Sequence, residues 1–120
     1  MGKGVTSMNR WYVYVDDERK FDSHTNAQYL WSCYVHGLSV PITCRSYNVA
    51  IDCLEELRAH GDEVVLDLDH DLGEGKSGYD LCKWVVENEY PLCGFHLHTM
   101  NPVGKFNMRH LLTHYGYQEF

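Results

Sequence analysis

The sequence predicts an α/β protein built on one parallel sheet flanked by helices. Three observations predict it. Short β-branched and aromatic runs alternate with helix-length amphipathic stretches along almost the whole chain. The 120 residues contain no repeat, no low-complexity stretch and no Pro/Gly/Ser-rich linker, so they form one domain with one modest core. Polar and titratable residues then gather at the carboxyl ends of the apolar runs, where open parallel sheets bind their ligands.

The elements follow in order. Residues 1–10 read as a flexible leader and 11–120 as the domain, although MGKGVT also matches the loose M-G-x-x-x-[ST] myristoylation pattern. Trp11–Val15 is a β-branched and aromatic run halted by Asp16 and Asp17, which predicts the first strand. Residues 25–36 predict a short helix before Gly37, and Val40–Cys44 a second strand. Ser46 is placed to cap a helix over Asn48–His60, whose apolar stripe is Val49, Cys53, Leu54 and Leu57 and whose stop is Gly61.

The run VVLDLDHDLG (Val64–Gly73) is the third strand and its exit. The loop Gly73–Gly78 leads into a helix over Tyr79–Asn88, with Leu81, Trp84 and Val85 on one face. Leu92–His98 is a fourth strand, and Val103–Tyr115 a helix entered through Asn101 and Pro102, an N-cap followed by proline at the first helical position. The closing GYQEF has room for one short strand.

Composition narrows the function. A net charge of -7 excludes loose, charge-driven binding to nucleic acid, which needs a broad basic surface. A small phosphorylated ligand stays open, because a bound divalent cation reverses the local potential. Five scattered cysteines without a C-x-x-C pair fit free thiols in a reducing cytoplasm. No apolar run reaches membrane-spanning length, so no membrane partner is expected, and a homo-oligomer is left open.

Three strand ends share one rim. The first carries Asp16, Asp17, Glu18 and Arg19; the third Asp67, Asp69, His70 and Asp71; the fourth His96, His98, Thr99 and Asn101. Carboxylates from two strand ends suit a hard cation such as Mg²⁺ or Mn²⁺, and histidines beside them suit proton transfer. The helix start after Asn101 aims amides, Gly104 among them, at an anion, with Arg19, Lys105 and Arg109 as added positive charge. If the third strand breaks near Asp69, His70 and Asp71 turn into the cleft with it, and Asp67 is left as a structural residue. Acid, base, cation and phosphate cradle together indicate phosphoester chemistry.

Other groups read as structural. His96 is expected to be a hydrogen-bonded core histidine, and His110 and His114 a polar helix face. His24, His36 and His60 read as surface groups, while Tyr12, Trp31 and Trp84 read as packing groups. GEGKSG lacks the glycine offset of a Walker A loop, and HLHT lacks the second H-x-[ST] element of two-histidine phosphoesterases.

The series V-D-D-E-R, L-D-H-D-L-G and H-T-x-N-P-V-G-x-x-N-M resembles the cyclic-phosphate processing receiver-like family, compact relatives of response-regulator receiver domains. The resemblance spans Val15 to Arg19, Leu68 to Gly73 and His98 to Met108. It implies a flavodoxin-like parallel sheet with a modified receiver pocket. It also implies hydrolysis of a cyclic phosphate in a nucleotide, an activity proposed for the family largely on sequence grounds. Related small proteins occur in phages and bacterial conflict systems, so the implied target is a signalling nucleotide and the implied location the cytoplasm, including that of a host.

Carried onto this chain, the motif positions are Asp16, Asp17, Glu18, Arg19, Asp69, His70, Asp71, His98, Asn101, Gly104 and Asn107. Thr99 stands where family members often have serine. The expected division of labour gives Asp16, Asp17 and Asp69 to a Mg²⁺ or Mn²⁺ ion and proton movement to His98 and His70, with Asp71 beside them. Arg19, Thr99, Asn101, Gly104 and Asn107 would position phosphate. Two other readings stand: a sponge that binds a nucleotide without cutting it, and a phospho-accepting receiver. Against the receiver, the lysine such domains take from their last strand is missing, since Lys105 is the final lysine of the chain.

Overall fold

A computed structural model describes residues 9–37, 39–73 and 75–120. The expected leader therefore lies outside the described residues except for its last two positions, and Arg10 already belongs to the first strand. In chain order the elements are β1 (Arg10–Val15), α1 (Ala27–His36), β2 (Val40–Cys44), α2 (Tyr47–Ala59), β3 (Glu63–Leu68), α3 (Gly78–Glu87), β4 (Leu92–Leu97) and α4 (Pro102–His114). The four strands are parallel in the order β2-β1-β3-β4, with β1 between β2 and β3. This is the receiver-like, flavodoxin-like α/β architecture. The closing segment forms no full strand. It contributes one parallel bridge, Glu119 to Phe95, on the outer edge of β4.

Local chemistry explains the helix starts. Asn26, Ser46, Ser77 and Asn101 each accept a backbone N–H through the side chain, from Tyr29, Val49, Asp80 and Gly104 respectively. Asp80 returns a bond to the Ser77 amide, which completes a capping box at α3. Because Asn26 is the cap, α1 begins at Ala27, two residues later than the sequence indicated.

Strand alternation divides the sheet into two faces. Val13, Val15, Leu66, Leu68, Phe95 and Leu97 pack against Leu54, Leu81, Met108 and Leu112 of the helices α2, α3 and α4. The other face carries Tyr12 and Val65, which meet Tyr29 of α1 together with Phe21, Cys33, Cys93 and Phe120. Trp31, expected to pack, is 56% exposed on the outer side of α1 and stacks on Tyr34 instead. Trp84 is half-buried against the main core, as expected of a packing group. The five cysteines are free thiols, and no described helix is long and apolar enough to cross a membrane.

Candidate functional site

Asp16, Asp69 and His98 are each the residue immediately after a strand: β1, β3 and β4. Each donates its backbone N–H to the last residue of the neighbouring strand. Asp16 donates to the Cys44 carbonyl at 3.1 Å, Asp69 to that of Val15 at 3.1 Å and His98 to that of Leu68 at 3.2 Å. The sheet ladder thus continues one residue beyond every strand and sets the three side chains side by side. One ligand atom from each lies within 4.8 Å of the others.

Asp16 is 1% exposed, and its Oδ1 accepts the Glu18 and Arg19 amides at 2.8 and 2.7 Å. Its Oδ2 lies 2.9 Å from His98 Nε2. Burial raises its pKa, but the two amides and His98 outweigh burial and hold the carboxyl below its ordinary range. His98 is held from both sides, because its Nδ1 lies 2.6 Å from Asp67 Oδ1. The ring stacks on Tyr14 with centroids 4.5 Å apart and planes 8° from parallel. Burial lowers the imidazole pKa, yet the hydrogen bonds and charges of Asp67 and Asp16 prevail and raise it. Asp67 in turn accepts the Tyr12 hydroxyl on Oδ2 at 2.5 Å.

Asp67 and Tyr12 were read from sequence as structural and packing groups, and the structure ties both to His98. Alternation was the signal that could have found them. Tyr12 and Tyr14 share one face of β1, Tyr14 is the register partner of Asp67, and Asp67 that of His96. His96 itself is half-buried, and its Nδ1 has no hydrogen-bond partner among the described residues, contrary to the bonded core histidine expected. Burial pushes its pKa down.

The remaining sequence candidates spread around this centre. Asp17 lies outside the triad. Its Oδ2 lies 3.3 Å from the position a Cβ on Gly73 would take. Asp69 also accepts the His70 amide at 2.8 Å. The strand does break there, and His70 places its ring against Gly104, where an added Cβ would stand 2.4 Å from His70 Cδ2. His70 Nδ1 is 3.3 Å from Asp71 and 3.5 Å from the Asn101 amide nitrogen. Asp71 itself is 76% exposed and leans outward, because the chain is already leaving the sheet.

Two groups expected to hold phosphate take part in the turn into α4. The Gly104 amide donates to Asn101 Oδ1 at 2.9 Å, so the N-cap consumes the donor assigned to an anion. Thr99 is buried, and its hydroxyl accepts the Asn101 amide at 3.1 Å, shaping the turn into α4. Arg19 stays at the rim, with Nη1 donating to the His98 carbonyl at 3.1 Å. Asn107 is exposed further along α4. Arg109, offered as added positive charge, is paired bidentately with Glu119 at 2.6 and 2.8 Å. Lys105 lies in α4 and not on a strand, which leaves the receiver reading without its lysine.

Two carboxylates and one imidazole make a donor set for a divalent cation. The 2.9 Å between Asp16 Oδ2 and His98 Nε2 matches adjacent ligand atoms around an octahedral ion, which sit about 3.0 Å apart. The nitrogen donor suits Mn²⁺ better than Mg²⁺, which prefers oxygen alone. The residues that meet here, Asp16, Asp69 and His98, are therefore compatible with a divalent cation.

No curated protein and no solved structure matches the chain significantly. A family model, that of the cyclic-phosphate processing receiver domain, matches residues 11–114. That match takes in all four strands from Trp11 onward, all four helices and every residue of the site just described. The chain belongs to the cyclic-phosphate processing receiver domain family.

Proposed function

We propose that this protein is a cation-assisted phosphodiesterase that opens a cyclic phosphate in a nucleotide, with a signalling nucleotide of phage–host conflict as its target class. The observation that carries the reading is the meeting of Asp16, Asp69 and His98 within 4.8 Å at the carboxyl edge of the sheet. A bound cation there supplies Lewis-acid polarisation of the phosphoryl oxygens and a more acidic water.

The chain's own residues do the rest. Arg19 has guanidinium N–H groups beyond the one given to His98, and these face an incoming phosphate from the rim. Asn101 anchors the start of α4 and holds its amide nitrogen towards His70. Water oxygen forms the new bond to phosphorus, its proton passes to solvent, and the ring P–O bond breaks. His70, beside Asp71, delivers the proton that the departing oxygen needs, leaving a phosphomonoester. The buried Asp16 stays ionised throughout, because the amides of Glu18 and Arg19 hold its charge.

The test is one incubation series of cyclic mono-, di- and oligonucleotides and 2′,3′-cyclic ends with Mn²⁺, Mg²⁺ or EDTA, read by mass spectrometry. Ring-opened product with Mn²⁺, absent in EDTA and in Asp69→Asn, is the expected result. Full recovery of an intact ligand from denatured protein would establish the sponge instead, and labelling by acetyl phosphate the receiver.

A further inference from the structure

Asp67 has no task in the chemistry proposed above, yet it is 1% exposed inside β3 with both oxygens committed. Oδ1 faces His98 Nδ1 at 2.6 Å and Oδ2 accepts the Tyr12 hydroxyl at 2.5 Å. For folding alone, a buried carboxylate within a strand is a poor choice. It loses its hydration, and an apolar residue of similar volume would serve the core as well or better. The neighbours on the same strand show what the fold prefers: Val64, Val65, Leu66 and Leu68 are all fully buried.

We infer that Asp67 is a positioning residue: it grips His98 at Nδ1, so that Nε2 is the ring nitrogen turned to Asp16 and left to a cation, and it is itself locked by Tyr12. The reason is chemical. An ionised carboxylate can only accept, so Nδ1 keeps its hydrogen towards Asp67, and Nε2, which faces Asp16, is the nitrogen free to exchange its hydrogen for a cation. Burial and the nearby Asp67 push the Tyr12 hydroxyl pKa up, so it remains a donor and cannot compete as an anion. Tyr14 stacked on the imidazole blocks the ring flip that would exchange the two nitrogens. A carboxylate behind a histidine whose far nitrogen faces other ligands is the arrangement that orients and strengthens metal-binding histidines.

The inference rests on the cation reading only for its probe, Mn²⁺. Three proteins are compared: the whole chain, Asp67→Asn and Tyr12→Phe. Mn²⁺ affinity is read from the paramagnetic resonance of the free ion, the His98 protonation site from nitrogen NMR of the metal-free protein, and folding from circular dichroism. Asp67→Asn is expected to weaken Mn²⁺ binding about 10- to 100-fold and to leave His98 Nδ1 without its hydrogen, with Nε2–H turned to Asp16. Tyr12→Phe is expected to weaken binding about fivefold, the equivalent of one lost hydrogen bond.

A folded Asp67→Asn protein with wild-type Mn²⁺ affinity and an unchanged His98 tautomer would overturn the inference. If that variant does not fold, Tyr12→Phe decides on the same two readouts. If the whole chain binds no Mn²⁺, the tautomer alone decides. A wild-type chain that binds Mn²⁺ and shows Nδ1–H, yet opens no cyclic phosphate, would refute the proposed function and leave Asp67 its role.

Discussion

Replacing Gly78 with alanine is expected to destabilise the protein and disturb the site from nine residues beyond Asp69 in sequence. Gly78 is the first residue of α3, and its N–H donates to the His70 carbonyl at 2.7 Å. A Cβ there would stand 2.0 Å from the Asp69 carbonyl oxygen and 3.0 Å from both Asp69 C and His70 Cα. Ordinary contact begins near 3.4 Å, so the two backbones must part by about 1.4 Å, the difference between 3.4 and 2.0 Å. The obstacle is main chain on both sides and has no rotamer to change. Overpacking of this kind costs about 1–3 kcal/mol. Weakening the Gly78–His70 hydrogen bond adds about 1 kcal/mol. The gain in helix propensity from glycine to alanine returns under 1 kcal/mol.

The net loss is about 1–3 kcal/mol, which for a chain of this length lowers Tm by about 4–12 °C. Because the displaced carbonyl belongs to Asp69, the same substitution pulls its carboxylate out of the triad, and a shift of about 1 Å costs up to 100-fold in turnover. Urea denaturation and a thermal melt measure the first effect, and Mn²⁺ affinity the second. A Gly78→Ala protein within about 0.5 kcal/mol of wild type in stability would refute the reasoning, since the clash would then have been relieved without backbone movement.

Gly104→Ala provides the contrast, because its Cβ would meet the ring of His70 and not a backbone. The ring can swing towards solvent, so stability should stay within about 1 kcal/mol of wild type while cyclic-phosphate turnover falls at least about tenfold. Unchanged turnover in a normally folded variant would remove His70 from the reaction. A pH series tests the cap of α3. The Ser77 amide leads the bonds that hold the Asp80 carboxyl below its ordinary range against burial, so Asp80 is ionised more readily folded than unfolded. Its contribution is therefore present above the unfolded carboxylate pKa and disappears as pH falls through the folded value. The stability gap between wild type and Asp80→Asn should be constant from pH 7 to about pH 5 and close in strong acid. A gap that persists at about pH 2 would show that Asp80 acts through packing.

Strand and helix order is legible in the chain alone, because β-branched runs, caps and a proline at the head of α4 act through neighbours along the chain, and a linear reading captures them. The meeting of three strand ends at one rim follows as well, since a parallel sheet puts all carboxyl ends on the same side. Asp16, Asp69 and His98 were legible for that reason. The direction of each side chain emerges only once the strands are in register. Asp16 turns to His98 while Asp17, one residue on, turns to Gly73. Asp67, which a local reading leaves in the core, lies beside Tyr14 on one neighbouring strand and His96 on the other, and so reaches His98 and Tyr12. The Gly104 amide, which a helix start offers to an anion, is taken by its own cap. Contacts between strands depend on register, and register is set by the packing of both sheet faces at once, a quantity no single segment of the chain carries.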